Sequence, residues 1–162
     1  MSQSGSFGVN STRTYTSSYP GGLPAKVLDR GSDKRGNWLF VLASASIARG
    51  DWVGVTGAGS ASGLTTTTYA ASAAIGVAQV AIASGEYAWV WVGSGGGTDV
   101  GIVGRVAASY VAFALVNTTA VAGTVDDAAT KILGGVVGLT TDSGAGSLVE
   151  LQAAGNIIKV TA

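Results

Sequence analysis

Any chemistry in this chain has to come from carboxylates, hydroxyls and aromatic rings, because its 162 residues include no histidine and no cysteine. Without them a serine nucleophile lacks an ordinary general base, no thiolate is available, and the usual zinc ligands are missing. Asp126 and Asp127 are the obvious carboxylate pair. Being adjacent, they point to opposite faces on a strand and cap backbone amides in a turn. Neither arrangement gives the facing carboxylates of glycoside hydrolysis. A calcium loop needs alternating oxygen ligands around a glycine, and Ala128-Ala129 breaks that series. The glycine-rich stretches 57–63 and 93–98 contain no lysine, so neither is a P-loop. The expectation is no catalytic residue, no metal site, no cofactor, and no enzymatic activity.

Two short motifs invite a functional reading. Arg49-Gly50-Asp51 spells the integrin-recognition tripeptide, but its surroundings recur. Ile47-Ala48-Arg49-Gly50-Asp51-Trp52 and Ile82-Ala83-Ser84-Gly85-Glu86-Tyr87 share Ile, Ala, Gly, an acid and an aromatic in the same order. The second copy has Ser in place of Arg, so the shared feature is a glycine turn closed by a carboxylate, leading into a strand. The sequons at Asn10 and Asn117 come with no signal peptide at the start of the chain and are read as chance.

The elements that position these residues centre on Ile75 to Val92. This stretch reads as a β-hairpin turning at Ala83-Ser84-Gly85-Glu86, with Gly85 free to take positive φ. Side chains alternate along a strand, so Tyr87, Trp89 and Trp91 share one face and Ala88, Val90 and Val92 the other. Neither face is polar. Burying three such rings removes about 450–750 Å² from water, worth at most about 11–19 kcal/mol. Three placements satisfy that: the protein's own core, a face against a neighbouring subunit or larger assembly, or a stacking platform for sugars.

Charge narrows the choice. Asp, Glu, Lys and Arg make up 11% of the chain, against about a quarter in ordinary soluble domains, and the formal net charge is zero. So few ionised groups favour association. Six basic residues (Arg13, Lys26, Arg30, Lys34, Arg35, Arg49) face two acidic ones up to Gly50, and three face seven thereafter. Six dispersed cations without interleaved aromatics form no phosphate track, which argues against nucleic acid as a partner. The longest apolar run, 106–116, is too short for a helix to span a bilayer, so no membrane partner is expected. The protein is read as soluble and made inside a cell.

Along the chain, residues 1–26 are rich in Ser, Thr, Gly and Tyr and lack any period, while Phe7, Val9, Tyr15, Tyr19 and Leu23 punctuate them. This is read as an extended N-terminal arm, ordered by lying on a neighbouring molecule, followed by one β-rich domain over 27–162. Residues 28–37 read as a polar connector, Trp38 to Leu42 as a strand, and 57–68 as a flexible loop. Val100 to Val103 and Tyr110 to Val116 read as further strands, a helix over 106–116 remaining the alternative. Lys131 to Leu139, Leu148 to Leu151 and Ile157 to Val160 complete the set. Many short strands between glycine-rich turns predict an all-β fold, a single sandwich or barrel-like domain with an N-terminal arm.

The stretch Ala78 to Val90, the turn Ala122-Gly123-Thr124-Val125-Asp126-Asp127-Ala128, and Ile132-Leu133-Gly134 followed by Ser143 to Glu150 resemble the small capsid decoration, or cement, proteins of tailed bacteriophages. The likeness covers roughly Val27 to Leu151. It implies a non-enzymatic structural protein of the virion, made in the host cytoplasm, that binds the phage major capsid protein on the outside of the assembled head and associates with itself as a dimer or trimer. Phe7, Arg13, Tyr15, Tyr19, Lys26, Arg30, Tyr87, Trp89 and Trp91 are the candidate contacts with capsid or neighbouring subunit. A carbohydrate-binding or adhesin module that stacks sugars on Tyr87, Trp89 and Trp91 is the competing expectation.

Overall fold

The computed structural model describes residues 9–94, 101–107, 109–128, 131–142, 144 and 146–160. Its first half contains β1 (Thr14–Tyr15), β2 (Arg30–Asp33), β3 (Gly36–Ala43), β4 (Trp52–Val55), β5 (Ser60–Gly63), one short helix α1 (Thr66–Ala71), β6 (Ala74–Ala78) and β7 (Tyr87–Gly93). β3 lies antiparallel to β7, β7 to β6, β6 to β4 and β4 to β5, and β5 runs parallel to β3. The ring is closed, so these five strands form a barrel with no free edge among them.

Residue size explains how the barrel is filled. A ring of five strands encloses a narrow interior, and Val41, Ala43, Val53, Val55, Ala61, Ala78, Ala88 and Val90 occupy it. Gly76 sits among them because a Cβ there would fall 2.9 Å from Val90 Cγ2. The alternate residues, Trp38, Phe40, Trp52, Ile75, Val77, Trp89 and Trp91, point outward into a second buried cluster. The two-faced apolar strand is therefore barrel interior on its small side and packed outer layer on its large side.

Both sequence repeats form the same turn. Asp51 N donates to Ala48 O at 3.1 Å and Glu86 N to Ala83 O at 3.0 Å, with Gly50 and Gly85 at φ +85° and +84°. In each, the closing carboxylate reaches back to the first amide, Asp51 Oδ2 accepting from Ala48 N at 2.8 Å and Glu86 Oε2 from Ala83 N at 3.1 Å. Arg49-Gly50-Asp51 is thus turn chemistry.

The remaining strands repeat the architecture. β8 (Val103–Arg105), β9 (Val116–Thr118), β10 (Val125–Asp126), β11 (Ile132–Gly138) and β12 (Leu148–Lys159) pair as β8 with β12, β12 with β11, β11 with β9 and β9 with β10. A parallel bridge from Val106 to Val125 closes this ring as β3 and β5 close the first. Val106, Val116, Val125, Val149 and Leu151, all buried, hold the places of Ala43, Val53, Ala61, Ala88 and Val90. The turns match as well. Phe113 N donates to Gly138 O at 2.9 Å as Gly50 N does to Ala78 O at 2.7 Å, and Gly146 N donates to Val106 O at 2.9 Å as Gly85 N does to Ala43 O at 2.8 Å. One strand-turn-strand unit therefore occurs four times.

The barrels are tied together closely. Arg105 Nε donates to Asp51 Oδ1 at 2.7 Å, Gln79 exchanges two bonds with the backbone of Val103 at 2.9 and 3.0 Å, and the Tyr69 hydroxyl lies 3.1 and 3.2 Å from the carbonyls of Ile132 and Val160.

Several local expectations change. Residues 28–37 contain β2, which pairs with β3, and 57–68 contain β5 and the start of α1. Thr65 and Thr68 form a reciprocal cap there, a side-chain signal hidden in a run of four threonines. Residues 110–115 are neither strand nor helix but the third copy of the turn. Leu148–Leu151 and Ile157–Val160 merge into the single strand β12, whose outward residues are polar enough to look like a break.

Candidate functional site

The sequence-predicted contact residues separate into buried and exposed sets. Phe7 lies outside the described residues. Trp89 is 2% exposed and Trp91 0%; Trp91 Nε1 donates to Arg35 O at 3.0 Å. Val9 and Gly31 close over Trp89, since a Cβ on Gly31 would sit 2.5 Å from Val9 Cγ2 and 3.2 Å from the indole. Tyr87 is half-buried, stacked on Phe40 with centroids 6.0 Å apart. Trp89 and Trp91 are therefore interior residues, and the three rings form no exposed platform for a sugar or a partner. Outward-facing aromatics on a tight barrel must be covered, and this chain covers them itself.

The cover includes the N-terminal segment. β1 pairs with β7 through Thr14 to Ala88 and Tyr15 to Tyr87, and Tyr15 is buried between Phe40 and Tyr19, at centroid distances of 6.0 and 5.1 Å. Burial pushes the Tyr15 hydroxyl above its ordinary pKa. The described part of the expected arm thus lies on its own barrel, and Tyr15 is an anchor for the segment, not a free contact. Tyr19 is half-buried beside it. Arg13 is exposed, its guanidinium 4.8 Å from the Tyr19 ring centroid. Lys26, Arg30 and Lys34 are exposed as well. The anchored segment and the β2–β3 hairpin consequently present four separate cations on the outside of the first barrel.

The carboxylates are occupied by backbone. Asp126 Oδ1 accepts from Ala128 N at 3.0 Å and Asp127 Oδ2 from Val111 N at 3.0 Å. Partial burial raises the Asp126 pKa, with the neighbouring Asp127 charge adding to it. Among the described residues no three carboxylates gather in a way that would hold a metal ion.

A surface that sequence reasoning missed lies on the second barrel. Val111, Phe113 and Leu115 are 53%, 66% and 59% exposed. Phe113 holds φ +62°, where the three equivalent turns carry Gly50, Gly85 and Gly146 at +85°, +84° and +74°. A left-handed conformation costs an ordinary residue about 1–2 kcal/mol. The turn still forms because Tyr110, fully buried, bridges it: its hydroxyl donates to Ala114 O and accepts from Gly138 N, both at 2.9 Å. Asp127 supplies from a distance the carboxylate that the other two turns carry internally. Leu115 borders a shallow groove of about 440 Å³ along β11 and β12, lined also by Gly134, Gly135, Val137 and Gln152. Ile158 and Val160 flank Gly134 and are 56% and 38% exposed. The alternation of Val111, Phe113 and Leu115 was the available signal; read as a strand, it hid an exposed turn.

No protein-family model matches the chain, and no curated protein does either.

Proposed function

We propose that this protein is a structural component of a tailed-phage virion, a decoration protein that seats on the outer surface of the assembled major capsid protein lattice and holds it together. The observation that supports this reading most directly is the set of exposed cations on the first barrel, Arg13, Lys26, Arg30 and Lys34. Arg13 and Lys26 lie on the segment anchored by Tyr15, and Arg30 on β2 paired to β3, so their backbone positions are set before binding and little backbone entropy is lost on docking. Scattered single cations suit a broad acidic protein surface better than a phosphate backbone. Two closed barrels, joined by an ion pair and paired hydrogen bonds, make a rigid strut. The mechanism is mass action: a protein that binds the assembled lattice and not its free subunits stabilises the assembly. Weak contacts repeated over a symmetric shell then add through avidity.

Cosedimentation with expanded capsids lacking this protein tests the reading. Saturable binding that weakens with salt, and is lost on reversing Arg13, Lys26 and Arg30 to Glu together, is the expected result. Native protein that stays in the supernatant at low salt would refute it.

A further inference from the structure

β2 differs from the strands of the two rings in having one unpaired side. The strand order ends at β10 and at β2. β10 is bridged through Val125 to Val106, whereas β2 has β3 on one side and, among the described residues, no strand on the other. Phe40 N donates to Asp29 O at 2.9 Å. With Gly31 opposite Trp38 and Asp33 opposite Gly36, the groups bonded to β3 are therefore those of Asp29, Gly31 and Asp33. The amides and carbonyls of Arg30 and Ser32 alternate with them and point away from the sheet, and both residues are exposed. Such a row is a template for one more strand. Elsewhere the chain satisfies outward backbone groups itself, Gln79 offering its side-chain amide to both the N–H and the carbonyl of Val103 in β8. β2 has no such plug.

Charge decides what fits this edge. Arg30 lies on the edge itself, Lys34 in the turn that ends it and Lys26 just ahead of it, all exposed. Residues 26–35 carry four cations against two carboxylates. Both carboxylates are turned inward: Asp29 Oδ2 accepts from Lys26 N at 2.8 Å, and Asp33 pairs with Arg35 at 3.2 Å and accepts from Trp38 Nε1 at 2.8 Å. A second copy of β2 laid along this edge would bring like charges together over four residues, which is destabilising, whereas carboxylates on an added strand would meet Arg30 and Lys34.

We infer that β2 is a strand-addition site, and that its occupant is an extended acidic segment of the major capsid protein, bonded to the outward amides and carbonyls of Arg30 and Ser32. The occupant's identity rests on the capsid binding proposed for this protein. Main-chain pairing then supplies affinity, and Arg30 and Lys34 select an acidic sequence.

Hydrogen exchange of the full chain, free and bound to expanded capsids lacking it, tests the pairing when resolved to single amides. Those of Arg30 and Ser32 should exchange quickly in the free protein and at least about tenfold more slowly when bound. Ser32→Pro is the decisive variant, since it removes the outward N–H at an edge position where proline is accepted. It should keep the native circular dichroism and cosediment about tenfold more weakly, whereas Ser32→Ala, which retains the amide, should bind as the native protein does. Native protein that fails to bind would refute capsid binding and this contact together. Native protein that binds while Arg30 and Ser32 still exchange freely, or a Ser32→Pro protein that binds as tightly, would overturn the strand addition alone.

Discussion

Ile47 and Ile82 exchange both of their backbone hydrogen bonds, Ile47 N to Ile82 O at 2.9 Å and Ile82 N to Ile47 O at 2.8 Å. They mark a local two-fold axis. Around it the unit β3-turn-β4 crosses the unit β6-turn-β7, so that β3 pairs with β7 and β4 with β6. Tyr110 and Asp142 hold the same relation in the second barrel, Asp142 N donating to Tyr110 O at 2.9 Å. Two crossed units bury each other's edges, which is how strands as short as three residues make closed barrels.

The turns that permit this crossing depend on glycine to different degrees. At Gly85 an added Cβ meets nothing within 4 Å, so Gly85→Ala carries only the backbone penalty, about 1–2 kcal/mol. Gly50→Ala adds a collision with Leu148 and should cost more. Urea unfolding midpoints of the two variants check the order; equal midpoints would show that Leu148 swings clear.

The interior placement of the indoles has a spectroscopic and an energetic consequence. Tryptophan emission should be blue-shifted, poorly quenched by acrylamide and unchanged by added glycans, since the rings are buried. Trp91→Ala should destabilise the fold by about 3–5 kcal/mol, the range for a large aromatic removed from a core. A loss under 1 kcal/mol would contradict the burial.

Asp127 acts on a turn sixteen residues away. Removing its carboxylate in Asp127→Ala leaves Val111 N without its acceptor, a capping loss of about 0.5–2 kcal/mol. Amide exchange at Val111 should accelerate selectively, whereas Ala83, capped by Glu86, should be unaffected. Uniform acceleration would mean that Asp127 supports the whole barrel.

Alkaline stability should fall for a specific reason. Burial raises the pKa of Tyr15, Tyr69 and Tyr110 above the ordinary value of 10.0, Asp127 adding to the shift at Tyr110. A raised folded-state pKa means that the native protein holds these protons more tightly than the unfolded chain. Their contribution is complete below pH 10 and declines as pH rises through the folded values. Tyr110→Phe should flatten part of that decline. It should also cost about 1–3 kcal/mol at neutral pH, because Gly138 N loses a buried acceptor. Urea midpoints between pH 8 and 11.5 measure both effects.

Sequence alone determined the local grammar of this protein. Ile-Ala-x-Gly-acid-aromatic specifies a turn through glycine's access to positive φ and a carboxylate's reach to an amide three residues back, and that chemistry acts within six residues. The alternation of small and large apolar residues likewise declared strands without a polar face, and with them an all-β fold. Tertiary structure decided the rest. The third and fourth turns were not legible because their parts come from far along the chain: Asp127 caps Val111, Tyr110 props a turn with phenylalanine in glycine's place, and the fourth is offset by a residue. Whether Trp89 and Trp91 faced a partner or a core was likewise undecided by periodicity, which sorts side chains onto faces but says nothing of what covers a face. Tyr15, Val9 and the β2–β3 hairpin settle it by folding back, a long-range packing event in which the apolar area removed from water outweighs the entropy of ordering the segment.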